Sequence, residues 1–192
     1  VLWLPELPHA DDTLALIRGI TFADGIVEVL WSDADLPEDA DGPLFVRGLI
    51  DGDDPDDPDL DVKAIFDNSY LVELDTDTGL HITIRTGGAE NTPDDFKGVD
   101  KSSVDWTWIK MELNGASLKL KSWLATDPEP ADWAIDVVDE TWLDPGMIGF
   151  RAWSGSAEIA YVRVTDLDGP GELAVDPRNR LTTIWGQMKA QR

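Results

Sequence analysis

Trp106-Thr-Trp-Ile-Lys-Met-Glu-Leu113, Asn114-Gly115 and Ala116-Ser-Leu-Lys-Leu-Lys-Ser-Trp123 form the stretch whose reading decides the fold. Two alternating runs flank an Asn-Gly pair. That dipeptide suits a two-residue type I′ hairpin turn, because both central residues need φ > 0. Counting outward pairs Leu113 with Ala116, Met111 with Leu118, Ile109 with Leu120 and Thr107 with Ser122. The other face pairs Glu112 with Ser117, Lys110 with Lys119, Trp108 with Lys121 and Trp106 with Trp123. The apolar residues of both arms then share one face. A slip of one residue would destroy that agreement.

The second face carries three of the chain's seven lysines beside three indoles. Directly opposed lysines destabilise a strand pair, so this face needs either an acidic neighbour or a ligand. One reading is a solvated face offset by Glu112 and an acidic loop. The other is a platform of Trp and Lys that receives a hydroxyl-rich or anionic ligand, since exposed aromatic patches mark binding sites. By strand parity Arg151 and Trp153 lie on the polar side of Met147–Trp153, opposite Ile148, Phe150 and Ala152. If that strand shares the hairpin's sheet, the carbohydrate-binding candidates are Trp108, Lys110, Lys119, Lys121, Trp123, Arg151 and Trp153. As the main basic cluster of an acidic molecule, they would prefer an acidic glycan or an acidic protein segment.

The 192 residues carry a net charge of −24, and 42% are hydrophobic. This is enough apolar content for one β-rich domain. Dispersed aspartate with few lysines is the surface habit of proteins from salt-loving organisms, self-repelling at low salt and screened at high salt. The charge argues against nucleic acid, whose phosphates need a basic partner. No cysteine is present, which rules out disulfides and thiolate metal sites. No apolar run is long enough to span a membrane.

Along the chain, residues 1–16 read as an N-terminal arm, a short apolar run cut by Pro5 and Pro8, able to dock Trp3 on the domain or a neighbouring subunit. Short strand patterns follow at Gly19–Phe22, Ile26–Ser32, Leu44–Ile50, Val62–Phe66, Tyr70–Asp75, Leu80–Arg85, Met147–Trp153 and Ile159–Thr165. Trp133–Glu140 fits either a strand or a short helix. Many short alternating runs with Gly, Pro, Asn and Asp between them predict an all-β, antiparallel two-sheet jelly-roll sandwich over 17–168. Ile109, Met111, Leu118, Leu120, Ile148 and Phe150 are expected between the sheets. The tail, 169–192, includes a short helical stripe over Leu181–Lys189 with Leu181, Ile184, Trp185 and Met188 on one face.

Asp51–Asp61 packs seven carboxylates into eleven residues. Asp51, Asp53, Asp56, Asp57 and Asp59 are the candidate oxygen ligands for Ca2+, although the spacing is not that of an EF-hand and an acidic surface loop explains it equally. Glu73, Asp75 and Asp77 alternate and so share a strand face. Neither His9 nor His81 has a partner for a triad or a zinc site, and both are expected at the surface.

The run Glu73-Leu-Asp75-Thr-Asp77 nearly matches the Glu-x-Asp-x-Glu signature of laminarinase-like glycoside hydrolases, with Asp77 where that family has its acid/base Glu. Together with Gly79-Leu-His-Ile-Thr-Ile-Arg85, Trp108–Trp123, Pro145-Gly-Met-Ile-Gly-Phe150 and Ala160-Tyr-Val-Arg-Val164, the chain resembles the concanavalin A-like lectin/glucanase superfamily, in its laminin-G-like and keto-disaccharide-hydrolase-like branches. The resemblance implies a jelly roll whose face or rim holds carbohydrate; it supplies no complete catalytic set. Three functions follow: a non-catalytic glycan-binding or adhesion module, a structural assembly subunit, and a glycoside hydrolase using Glu73 and Asp77. The first is the leading expectation. It is set on a virion tail or surface decoration, or in a secreted protein, of a halophilic system, with homo-oligomer or virion contacts through the arm and the tail.

Overall fold

The computed structural model describes residues 2–4, 13–32, 42–49, 54–57, 59–75, 79–98, 106–153, 157–167 and 172–173. In chain order the strands are β1 (Leu2–Leu4), β2 (Thr13–Leu16), β3 (Gly25–Ser32), β4 (Pro43–Gly48), β5 (Tyr70–Asp75), β6 (Gly79–Thr86) and β7 (Ala89–Asn91). There follow β8 (Thr107–Asn114), β9 (Ser117–Leu124), β10 (Ile135–Val138), β11 (Met147–Ala152), β12 (Ala157–Thr165) and β13 (Glu172–Leu173). A short α-helix, α1 (Val62–Phe66), precedes β5. Sheet I runs β1-β12-β3-β8-β9-β10 with β13 also on β12, and sheet II runs β2-β11-β4-β5-β6-β7. Neighbouring strands are antiparallel.

Alternation does the work the sequence suggests. Ile109, Met111, Leu113, Leu118 and Leu120 face inward from the hairpin, and Ile148 and Phe150 meet them from β11 in the inter-sheet core. Val72, Leu74, Leu80 and Ile82 complete that layer. The faces are therefore as predicted, but the hairpin register is not. Asn114 pairs with Ser117, Leu113 with Leu118, Met111 with Leu120 and Trp108 with Trp123. The turn is Gly115-Ala116, with φ of 54° at Gly115, so only its first central residue needs the left-handed freedom of glycine. A slip of two residues leaves every side chain on its own face, so apolar parity is blind to it. A tertiary contact holds the observed choice: Asp24 Oδ1 accepts the Gly115 N–H at 2.7 Å and the buried Arg47 guanidinium at 3.2 Å.

Three further corrections concern element type and extent. Val62–Phe66 is helix rather than strand; Asp61 caps it by accepting from the Ala64 N–H at 3.1 Å. Its Ile65 and Phe66 join Leu16, Phe45, Leu71 and Met147 in a second apolar cluster on the outer side of sheet II. Five residues are too few to separate a period of 3.6 from one of 2. Within 1–16, assigned to an arm, β1 pairs with β12 and β2 with β11, so the arm contributes a strand to each sheet. Gly19–Phe22 supplies only an isolated bridge from Phe22 to Gly146. Ile135–Val138 resolves the ambiguous 133–140 segment as strand. The Leu181–Lys189 stripe lies outside the described residues. Among the described residues, no helix is long and apolar enough to cross a membrane.

Candidate functional site

The outer face of sheet I is built in rungs. Tyr161, Leu30, Trp108 and Trp123 are neighbours on successive strands, and so are Arg163, Glu28, Lys110 and Lys121. A third rung carries Thr165, Ile26, Glu112, Lys119 and Asp136. Each rung is separated from the next by two residues along the strands, or about 6.8 Å. In the aromatic rung Trp108 and Trp123 stack with centroids 6.2 Å apart at 18°. Tyr161 meets Trp108 edge-on at 5.4 Å. Both indoles are half-buried and Tyr161 is 39% exposed.

The two-residue register change rearranges the charges. Lys119 now faces Glu112, at 3.4 Å, instead of Lys110. Lys110 and Lys121 become the opposed like-charged pair. The β9–β10 connection relieves them: Glu129 Oε1 lies 3.0 Å from Lys110 Nζ and 2.7 Å from Lys121 Nζ. Glu28 adds a contact to Lys110 at 3.2 Å and holds Arg163 from β12 at 2.6 Å. Pro130 accepts from Lys121 at 2.8 Å, and the Lys121 ammonium sits 4.6 Å from the Trp133 ring. Burial works against the charge on Lys110, but hydrogen bonds to Glu129 and Glu28 outweigh it and hold its pKa above the ordinary lysine value. The Lys121 hydrogen bond, against some burial, keeps Glu129 below the usual carboxylate range. Every lysine of the proposed patch is thus ion-paired. The platform is aromatic with locally matched charge, not the basic cluster that the sequence suggested.

Arg151 and Trp153 do not belong to this face. Their strand, β11, lies in sheet II between β2 and β4, because alternation along a strand does not say which sheet receives it. There Arg151 is buried and donates to Glu73 Oε1 at 2.7 Å, with Trp153 5.8 Å beyond its guanidinium. The other Glu73 oxygen, Oε2, accepts from His81 Nε2 at 2.9 Å and from Thr83 Oγ1 at 2.6 Å. His81 Nδ1 faces the Gly79 carbonyl at 3.0 Å. Both ring nitrogens thus lie within hydrogen-bond distance of an oxygen. Burial would raise the Glu73 pKa, but the His81 hydrogen bond, the Arg151 charge and Thr83 together hold it below the normal glutamate value. His81, expected at the surface, is buried in this cluster. Asp77, the other member of the expected catalytic pair, lies outside the described residues.

Of the candidate calcium ligands, Asp51 and Asp53 lie outside the described residues. Asp56 and Asp59 donate their backbone N–H groups to the side chains of Asp54 and Asp57 at 2.9 and 2.8 Å, as residues in polar turns do. Among the described residues no three carboxylates or imidazoles gather as a metal would require.

Glu28, Glu129, Tyr161 and Arg163 are the site residues that sequence reasoning missed. The signal that could have found the β3 and β12 members is alternation in Ile26–Ser32 and Ile159–Thr165, which sets Glu28, Tyr161 and Arg163 opposite Val27, Val29, Val162 and Val164. Nothing local placed those strands beside the hairpin.

No family model and no curated protein matches the sequence. Solved structures do resemble the fold. The carbohydrate binding module CBM66 from Bacillus subtilis superposes with a TM-score of 0.59 at 18% identity, over 79% of this chain and 80% of that one. A xylan β-1,4-xylosidase from Bacillus halodurans gives 0.56 at 12% identity, over 85% of this chain but 32% of its own. A prokaryotic β-1,3-1,4-glucanase (lichenase) from a mouse hindgut metagenome gives 0.50 at 13%, over 78% and 69%. The shared fold is an antiparallel two-sheet β-sandwich. The structures that share it are a carbohydrate binding module, a xylosidase and a glucanase.

Proposed function

We propose that this chain is a non-catalytic glycan-binding module whose contact surface is the aromatic rung of sheet I. The observation carrying this reading is the Trp108–Trp123 stack with Tyr161 at its edge, half-exposed beside polar rungs. Indole faces suit the C–H surfaces of sugar rings, and the adjoining ammonium and carboxylate groups suit hydroxyls. Replacing Trp108 and Trp123 together by Ala should leave the circular dichroism of a folded sandwich. It should weaken glycan binding at least about tenfold, the equivalent of roughly 1.4 kcal/mol. Unchanged binding in a folded double variant would refute the assignment.

The catalytic alternative is disfavoured by Glu73, whose two oxygens accept from Arg151, His81 and Thr83. A nucleophile so engaged is poorly placed to attack. No turnover of β-glucans is expected; turnover that disappears on Glu73→Gln would restore the hydrolase. The assembly alternative is favoured by the sheet edge at β10, where Val138 is 71% exposed. In that case the Trp double variant would lose self-association or incorporation into an assembly rather than glycan binding.

The proposed setting is extracellular or on a virion surface, in a salt-loving system. Its support is the net charge of −24. Salt shortens the screening length from about 30 Å at 0.01 M to about 3 Å at 1 M, which removes self-repulsion. The melting temperature should therefore climb with sodium chloride across that range. A flat profile would dispose of the halophilic setting. An added gain from Ca2+ at constant ionic strength would point to the Asp51–Asp61 loop.

A further inference from the structure

We infer that the Glu129 carboxylate occupies the place of a ligand's anionic group, so that the aromatic face takes an acidic glycan whose uronate carboxylate displaces Glu129 from between Lys110 and Lys121. This rests on the glycan-binding reading above and names its ligand class.

The argument starts from the lysine pair. Lys110 and Lys121 are directly opposed on β8 and β9, an arrangement that is repulsive unless an anion sits between them. A single oxygen fills that position, Glu129 Oε1 at 3.0 and 2.7 Å. Among the described residues, the face's further ion pairs are made within the sheet: Arg163 and Lys110 with Glu28, and Lys119 with Glu112. Glu129 instead arrives from the connection between β9 and β10, and its side chain is 41% exposed. It can leave without any strand moving. The lysines would not leave with it, because Lys110 keeps Glu28 and Lys121 keeps the Pro130 carbonyl.

The neighbouring rung supplies the rest of the site. Trp108 and Trp123 lie two residues further along the same strands, about 6.8 Å from the lysines. A sugar stacked on the indoles brings the carboxylate of an adjoining uronate over the ammonium pair. Charge-assisted hydrogen bonds to two lysines then replace those made by Glu129. The net charge of −24 does not prevent this at 0.15 M salt, where charges more than about 8 Å away are screened.

Glu129 competes as a tethered ligand, so apparent affinity for the acidic glycan is reduced by the fraction of time the clamp is open. The test compares trigalacturonate with galactotriose, which differ in the C6 carboxylates, by calorimetry at 0.15 M salt. If the clamp is open about a tenth of the time, Glu129→Gln should raise the ratio of trigalacturonate to galactotriose affinity about tenfold. Lys110→Gln should lower that ratio several-fold. An unchanged ratio in Glu129→Gln overturns the inference, and so does an absence of trigalacturonate binding to both wild type and this variant. If Glu129→Gln does not fold, Lys110→Gln decides, a wild-type ratio being the overturning result. Failure of the parent reading looks different: the Trp108→Ala/Trp123→Ala variant binds both trisaccharides like wild type, whatever the ratio does in the other variants.

Discussion

Arg151→Ala is expected to cost about 3–5 kcal/mol of folding free energy, because it takes the guanidinium from a buried ion pair. For a domain of this size that is roughly a 10 °C fall in melting temperature, measurable by calorimetry. Arg151 and Glu73 side chains are only 6% and 7% exposed, so solvent screening does not soften the loss. A fall of less than about 1 kcal/mol, the range of surface pairs, would mean that the cluster is wetter than its geometry implies. The same cluster sets an acid limit. The folded-state pKa of Glu73 is held below the ordinary glutamate value of 4.5, so its contribution is fully present above that value. It is lost as pH falls through the lower, folded one. Asp67 and Glu129, also depressed, act in the same direction. Wild type should therefore lose stability steeply below about pH 4.5. Glu73→Gln, though less stable at neutral pH, should lose less over that interval. Parallel pH profiles would remove Glu73 from the account.

Gly149→Ala should be comparably damaging for a steric reason. A methyl group built on Gly149 would lie 2.1 Å from Phe45 Cζ and 2.5 Å from the Ala15 carbonyl oxygen. Phe45 cannot swing away freely, because it packs edge-on against Phe66 at 5.3 Å, and Arg85 lies over Phe66 at 4.0 Å. Ala15 is held by pairing with Phe150 across β2 and β11. Overpacking of this kind costs about 3 kcal/mol, and the variant should melt roughly 6–12 °C lower. Adding Phe45→Leu to Gly149→Ala should return part of that loss, a coupling that a double-mutant cycle isolates. Strict additivity of the two changes would assign the damage to the Ala15 carbonyl instead.

The two polar regions of this sandwich do different work, and the difference bears on function. On sheet II, Glu73 is buried and engaged by three donors, an arrangement that ties strands β5, β6 and β11 together. On sheet I, half-exposed indoles lie beside ion pairs, one member of which, Glu129, arrives on a connection. The first arrangement is suited to holding the fold. The second is suited to contact with something outside it.

How much of this was legible in the sequence can be read from particular residues. Alternation in Thr107–Asn114 and Ser117–Leu124 was sufficient to send Ile109, Met111, Leu118 and Leu120 inward and Trp108, Lys110, Lys121 and Trp123 outward. Burial has a period of two residues in a strand, so the pattern determines the face of every side chain. For the same reason it cannot tell registers two residues apart. Asp24, far from the hairpin in sequence, holds the register that makes Trp108 the partner of Trp123. Strand parity placed Arg151 opposite Phe150, but whether that face looked onto the hairpin or onto Glu73 depended on which sheet β11 entered. That choice belongs to the packing of the whole chain. Five residues at Val62–Phe66 were too short to show a period, and their capping by Asp61 and packing on Phe45 and Leu71 made them helix. The Glu73–Arg151 bond likewise joins groups whose approach no local pattern encodes. Short-range alternation thus determined an antiparallel sandwich and the facing of its strands. Register, sheet membership and ion partners were left to tertiary structure, because each is settled by contacts between segments remote in sequence.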